Sequence, residues 1–128
     1  MANNEPKKQE VLRTREQRMA EVACRCVEKR TGKDAGDYLS FANSFPSLVH
    51  SCGLVQAVAF ADAKGKKNLI EDISKVLEKH PDELTVQARS KPLAAYMLLS
   101  REVLAAAGWV KRYAQALLKE EGRAENNG

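Results

Sequence analysis

The sequence predicts an all-α protein: a single compact domain of about six helices packed around a buried central helix at about residues 46–63. Three observations carry this. Apolar residues recur at spacings of three and four along most of the chain, the mark of helices with one buried face. No segment alternates apolar and polar residues with period two over five residues, so no sheet is expected. And the stretch FPSLVHSCGLVQAVAFADAKGKK, from Phe45 to Lys67, places apolar residues on every side of the helix it must form, which calls for neighbours on several faces. At 128 residues there is room for one core and not two, so one domain over 1–128 is expected, with the ends at 1–9 and 122–128 frayed.

Taken in order, residues 10 to about 31 form a long amphipathic helix: Leu12, Met19, Ala23 and Cys26 fall within a ~60° stripe, flanked by Val22 and Val27, and Gly32 stops it. A loop or short helix follows, with Asp37 as a candidate N-cap and Tyr38, Phe41 and Phe45 as aromatic bulk for the core. Pro46 suits a first helical turn, and Gly65 with Lys66 and Lys67 suits the far end, which bounds the buried helix. Within it, Gln56 is expected to be a buried amide bonded to backbone, His50 a hydrogen-bonded core histidine, and Phe60 a core aromatic. Residues 67–79 carry Leu69, Ile70, Ile73, Val76 and Leu77 at helical spacing and end before Pro81. The polar segment 82–91 reads as a loop with at most a helical turn, before Pro92 opens a helix over PLAAYMLLS. Ser100 is placed as the cap of a last helix to about Gly122, with Leu99 and Leu104 as its staple. The inner face of that helix is Val103, Leu104, Ala107, Val110, Ala114, Leu117 and Leu118.

Little in the chain resembles a catalytic site. Cys24, Cys26 and Cys52 are an odd number, Cys24 and Cys26 stand ~200° apart on a helix, and neither His50 nor His80 completes a metal-ligand spacing, so reduced core thiols and no metal are expected. His80, before Pro81 at a helix end, reads as a cationic cap. GKDAG and AKGKK lack the spacing and the strand-to-helix setting of a phosphate loop, and the two histidines have no Ser or Cys elbow beside them. The reading is not an enzyme, with no cofactor and no small-molecule substrate. The N-terminus MANNEPKKQE lacks a signal-peptide layout, and no apolar run reaches ~18 residues without polar interruption, so a cytoplasmic protein without membrane partners is expected.

Charge is the feature that could carry function. The net charge is +4 and the pI about 9.0, a mild basic bias that permits nucleic-acid binding. On the last helix Arg101, Arg112 and Lys119 cluster within ~20° opposite the core face, beside Gly108 and Gln115. Lys111 lies ~40° from the centre of the apolar face, so its stem can cover core while its ammonium reaches out. On the first helix Arg18, Arg25 and Lys29 fall within ~40°, with Arg15 at the edge, and Glu10, Glu21 and Glu28 form a separate stripe, although Glu21 and Arg25 also have the spacing of an ordinary surface pair. Lys64, Lys66 and Lys67 add a third group at one loop, offset by Asp62 alone. With aromatics at 5% and Tyr38, Phe41, Phe45 and Phe60 assigned to the core, base-stacking platforms are not expected, and phosphate contacts should dominate any nucleic-acid binding.

Two segments, FPSLVHSCGLVQAVAFADAKGK and LAAYMLLSREVLAAAGWVKRYAQALLKEE, follow patterns of the form PSLI.SNGLGQTLAF...K and YR.LTREALA...WLKR.AEAL. With RTREQRMAEVACRCVEKR in front, the chain resembles over nearly its whole length the small helical subunit of the Cmr complex, the type III-B CRISPR effector that targets RNA. Cys52 stands where the pattern has Asn and Val55 where it has Gly. The resemblance implies a non-catalytic subunit stacked in several copies inside a filament of backbone subunits, holding guide RNA and single-stranded target RNA during antiviral defence. Its partners would be the other Cmr subunits and further copies of itself. The alternatives are an assembly adaptor of the same complex that touches protein alone, and a free-standing helical regulator that binds DNA. For the latter, the helix after each tight turn is too apolar to be a recognition helix.

Overall fold

The computed structural model describes the backbone of residues 13–127 and the side chains of residues 13–118. Those residues form six helices and no strand: α1 (Arg15–Glu28), α2 (Ala35–Cys52), α3 (Leu54–Ala63), α4 (Lys67–Val76), α5 (Pro81–Ser90) and α6 (Leu93–Asn127). The all-α class and the number of helices agree with the sequence reading, but several boundaries do not. The frayed ends expected at 1–9 and 122–128, and Glu10 and Leu12, lie outside the residues whose side chains are described.

α1 begins at Arg15 because Thr14 builds a capping box: its hydroxyl accepts from the Gln17 N–H at 3.0 Å, and Gln17 Oε1 accepts from the Thr14 N–H at 2.8 Å. Met19, Ala23, Cys26 and Val27 form its buried stripe.

The helix expected over 46–63 is two helices. Tyr38, Phe41, Ala42, Phe45 and Val49 make one stripe at spacings of three and four that runs straight through Pro46, so α2 starts at Ala35 and holds the proline in its interior. Burying that stripe outweighs the backbone hydrogen bond that Pro46 cannot donate, a penalty of ~3 kcal/mol. Asp34, not Asp37, stands at the N-cap. Gly53 then breaks the chain at φ 88°, ψ 163°, a conformation reserved for glycine. The Tyr96 hydroxyl, arriving from α6, accepts from the Val55 N–H at 3.1 Å and so satisfies one free amide at the start of α3. α3 buries Leu54, Ala57, Val58 and Ala61, but Val55 and Phe60 are 37% and 42% exposed and Gln56 and His50 face outward. The segment is therefore not buried all round. Neighbours cover one side of it, and its polar residues need no internal partner.

α4 carries Leu69, Ile70, Ile73 and Val76 into the core together with Asp72 and Ser74. Residues 81–90 are a helix rather than a loop. Pro81 occupies its first turn, the His80 imidazole Nδ1 accepts from the Asp82 N–H at 3.3 Å, and Glu83 Oε1 accepts from the His80 N–H at 3.3 Å. His80 is thus an N-cap acting as an acceptor, not a cationic C-terminal cap. Leu84 and Ala88 alone anchor this helix, too thin a stripe to stand out in the sequence.

Ser100 does not start a helix: α6 passes through it, and Leu99 joins Val103, Ala106, Ala107, Val110, Ala114 and Leu118 in one buried stripe. Of the expected inner face, Leu117 is exposed and Leu104 half-buried. The stretch Leu93–Leu118 is long and apolar enough by composition to cross a membrane. Here it is the spine of the bundle, packed most extensively on α2 and next on α1, while α4 lies against α1 and α6, and α5 closes on α3 and α4. Phe45, Leu54, Ile73, Leu84, Leu99 and Leu118 are its largest fully buried apolar residues.

Candidate nucleic-acid interface

Three surfaces carry the cations singled out from the sequence, and the fold treats them differently. Arg101 and Arg112 stand on the outer side of α6, opposite the buried stripe, exposed and without an ionic partner among the described residues. The Arg112 guanidinium lies 5.2 Å from the centre of the Trp109 ring, which itself stacks on Tyr113, so its long side chain is held in place while its charge stays in water. Lys111 is half-buried, as its position at the edge of the apolar face requires. Lys119 continues the row along the α6 backbone, with its side chain outside the described residues.

The first-helix ridge is largely consumed. Arg25 and Arg13 both grip Glu21, Arg15 reaches Glu102 of α6 at 3.5 Å, and Arg18 donates to the Arg13 carbonyl at 2.8 Å. The segregation of acids and bases expected on this helix is therefore overturned, because four-residue spacing brings Glu21 and Arg25 to the same turn. The hydrogen bonds and charges of Arg13 and then Arg25 hold the Glu21 carboxyl below the usual glutamate range. These are exposed pairs, worth little to stability.

Lys29, at the C-terminal end of α1, belongs with the third group. It lines a cleft of about 520 Å³ together with Arg30, Lys33 and Lys66, closed by Asp34, Asp37, Tyr38 and Phe41. In the sequence Lys33 looks like one more loop charge and does not stand out. Its position opposite Lys66 depends on how the α1–α2 and α3–α4 turns meet. Lys67 is spent on Asp62 at 3.4 Å, and Lys64 lies over the exposed Phe60 ring, 5.7 Å from its centre.

Beneath the cleft is a network the sequence reading missed. Arg30 donates to both carboxylate oxygens of Asp72, from Nε at 2.9 Å and from Nη2 at 2.8 Å, and the Tyr38 hydroxyl donates to the same carboxylate at 2.6 Å. Asp72 is 1% exposed. The signal was there to be read: Asp72 sits three residues after Leu69 and four before Val76, on the apolar face of α4, where a carboxylate needs a partner. Arg30 is therefore a structural cation and is not free to bind a ligand.

Burial, then the Asp72 charge and hydrogen bond, raise the Tyr38 phenol far above the ordinary tyrosine range. A folded-state value above the unfolded one of ~10 means that this contribution is complete below pH ~10 and is lost as the pH climbs beyond it. Melting temperature should accordingly fall through the alkaline range, and Tyr38→Phe, at a cost of about 1–2 kcal/mol near neutrality, should flatten that fall. Melting curves from neutral to strongly alkaline pH check this, and equal slopes for the two proteins would refute it.

Two of the three thiols are held away from reactivity. Cys24, Cys26 and Cys52 are free, and burial together with nearby carboxylates pushes the Cys24 and Cys26 thiols upward, away from the thiolate. Among the described residues no group of three His, Cys, Asp or Glu side chains could hold a metal ion. The fold and its surface thus define a class: a small helical bundle whose distinctive chemistry lies on the outside, in cations without ionic partners among the described residues.

Comparison with known proteins gives that class a family. A family model described as CRISPR-associated protein (Cas_Cmr5) matches residues 15–117. The Cmr subunit Cmr5 of the CRISPR system of Thermus thermophilus is 45% identical over 114 residues, covering 85% of this chain and all of that protein. A crystal structure of a CRISPR-associated Cmr5 family protein from the same organism superposes with a TM-score of 0.78 at 43% identity, over 84% of this chain and 99% of the other. This chain belongs to the Cmr5 family, as the two segment patterns implied.

Proposed function

We propose that this protein is a non-catalytic small subunit of a type III-B CRISPR (Cmr) ribonucleoprotein in the cytoplasm, assembled with the other Cmr subunits and with further copies of itself. It lines the filament and helps hold guide and target RNA. The observation that carries the RNA contact is the outer side of α6, where Arg101 and Arg112 are exposed and have no ionic partner among the described residues, while most first-helix arginines are engaged by Glu21 and Glu102. Cations free of internal partners can take phosphates without first breaking an ion pair. Lys119 extends the row, and Lys111 borders it. Two or three phosphate contacts per copy bind weakly, and repetition along a filament makes weak sites collectively strong.

Arg101→Glu with Arg112→Glu should leave helicity intact and weaken target-RNA retention by the assembled complex. The salt slope should fall by about 1.4, or ~0.7 for each single-strand phosphate no longer neutralised. Unchanged retention across a salt series would sink the assignment.

One observation favours an adaptor role beside this one. Leu93, Met97 and Leu98, in the first turns of α6, are 73%, 51% and 51% exposed, more apolar surface than an isolated helix end needs. If the arginine variant no longer purifies with the backbone subunits, the ridge is a protein contact and the adaptor reading replaces the RNA one.

A further inference from the structure

We infer that Phe60 and the lysine cleft beside it form a seat for an unpaired nucleotide of single-stranded RNA, its base on the Phe60 ring and its flanking phosphates on Lys64, Lys66 and Lys29. This rests on the RNA-holding reading above and deepens it, adding a stacking contact that recognises single strands.

A phenylalanine residue 42% exposed is unusual in a chain this poor in aromatics, and Phe60 is held rather than loose. Its ring stacks on buried Phe41, with centroids 6.2 Å apart and an interplanar angle of 23°. Phe41 in turn lines the cleft that holds Lys29, Lys33 and Lys66, none of which has an ionic partner among the described residues. A fixed π-face therefore adjoins a cationic groove of about 520 Å³. That pairing is what proteins use to bind single-stranded nucleic acid without reading its sequence. A paired base is already stacked in its helix and cannot reach such a ring, so the seat selects unpaired nucleotides.

The charge balance supports an anion. Arg30 is neutralised by Asp72, with Glu71 as a second carboxylate 3.9 Å from its guanidinium, and Lys67 and Asp62 neutralise each other. Lys29, Lys33 and Lys66 line the cleft with Asp34 and Asp37, which stand at the N-terminal end of α2, where the helix dipole favours a carboxylate, and Lys64 adds a charge at the adjoining Phe60. The Lys64 ammonium already lies over the Phe60 ring. An incoming base takes its place, and the flexible stem carries the charge to the neighbouring phosphate.

The test uses the assembled ribonucleoprotein with single-stranded target RNA, comparing Phe60→Tyr, Phe60→Leu, Phe60→Ala, Lys29→Gln with Lys66→Gln, and the α6 variant Arg101→Glu with Arg112→Glu. Phe60→Tyr should retain binding. Phe60→Leu keeps the apolar contact with Phe41 but lacks a π-face, and it should weaken RNA retention about five- to a hundred-fold, as Phe60→Ala should, with the salt slope unchanged. The lysine pair should lower that slope by about 1.4. Should Phe60→Ala melt early, the Tyr and Leu variants carry the comparison alone. Wild-type binding by Phe60→Leu, with weakened binding by the α6 variant, overturns the seat and leaves the RNA reading standing. Wild-type binding by every variant overturns both. Loss of the complex itself on Phe60→Leu identifies the ring as a protein contact and also overturns the seat.

Discussion

Asp72→Ala is expected to cost about 3–5 kcal/mol, because it breaks a buried ion pair from one side. The carboxylate is 1% exposed and takes three hydrogen bonds, two from the Arg30 fork and one from Tyr38. Its removal leaves a guanidinium with a side chain 22% exposed, and a buried phenol, facing an empty space. Neither regains full hydration, because Tyr38 and Arg30 are covered by α1, α2 and α4 together. Melting should fall by roughly 10–20 °C at about 4 °C per kcal/mol for a chain this size. The double variant Arg30→Met with Asp72→Leu should recover most of the loss, since replacing a whole buried pair with apolar volume is often neutral or stabilising, while breaking it is not. Urea unfolding of the single and double variants measures both. A loss below about 1 kcal/mol for Asp72→Ala would mean that water already solvates the carboxylate.

Gly53→Ala should cost about 1–3 kcal/mol, whereas Gly36→Ala should stabilise by roughly 0.5–1 kcal/mol. The same chemical change has opposite signs because the two glycines do different work. Gly36 lies inside the first turn of α2 with nothing within 4 Å of an added Cβ, so alanine gains helix propensity freely. Gly53 turns the chain between α2 and α3 at φ 88°, and a Cβ there would stand 3.4 Å from the Tyr96 hydroxyl, the group that caps α3. Strain and the disturbed cap act together. The loss should be shared in part by Tyr96→Phe, which removes the cap without touching the backbone. Thermal unfolding of the three variants checks the order Gly53→Ala, Tyr96→Phe, wild type, Gly36→Ala from least to most stable. Equal stability of Gly53→Ala and wild type would show that the turn relaxes.

Both substitutions fall in elements that hold the cationic surface in place. The Arg30–Asp72–Tyr38 network ties the end of α1, the start of α2 and α4 together directly beneath the cleft that Lys29, Lys33 and Lys66 line. The Gly53 turn sets the course of α3, which carries Phe60 and leads to Lys64. Under the proposed RNA-holding role, damage to either should therefore reach RNA retention through altered geometry, and stability must be measured beside binding in every variant.

The sequence by itself determined the all-helical class, the absence of any period-two segment, the buried stripes of α1, α4 and the second half of α6, and the family, because each of these is written in local spacing. Cys26, Val27, Ile70, Ile73, Val103, Val110 and Ala114 are buried where the 3.6-residue period puts them. Tertiary structure alone decided the rest. Pro46 and Ser100 are local helix-start signals, yet α2 and α6 run through them, because the stripes Phe41–Phe45–Val49 and Leu99–Val103 gain more by packing on one another than a proline or a cap can oppose. Phe60 and Gln56 face outward because neighbours cover one side of α3 and not the other, and His50 faces outward from the last turn of α2, which no periodicity within the segment could announce. The cations divided in the same way. Charge and helical position are local, so the α6 row was legible. Whether a cation is spent on a carboxylate, as Arg25 is on Glu21 and Arg30 on Asp72, or stands, as Lys33 does, beside a lysine from a distant turn with no ionic partner among the described residues, depends on which turns the folded chain brings together.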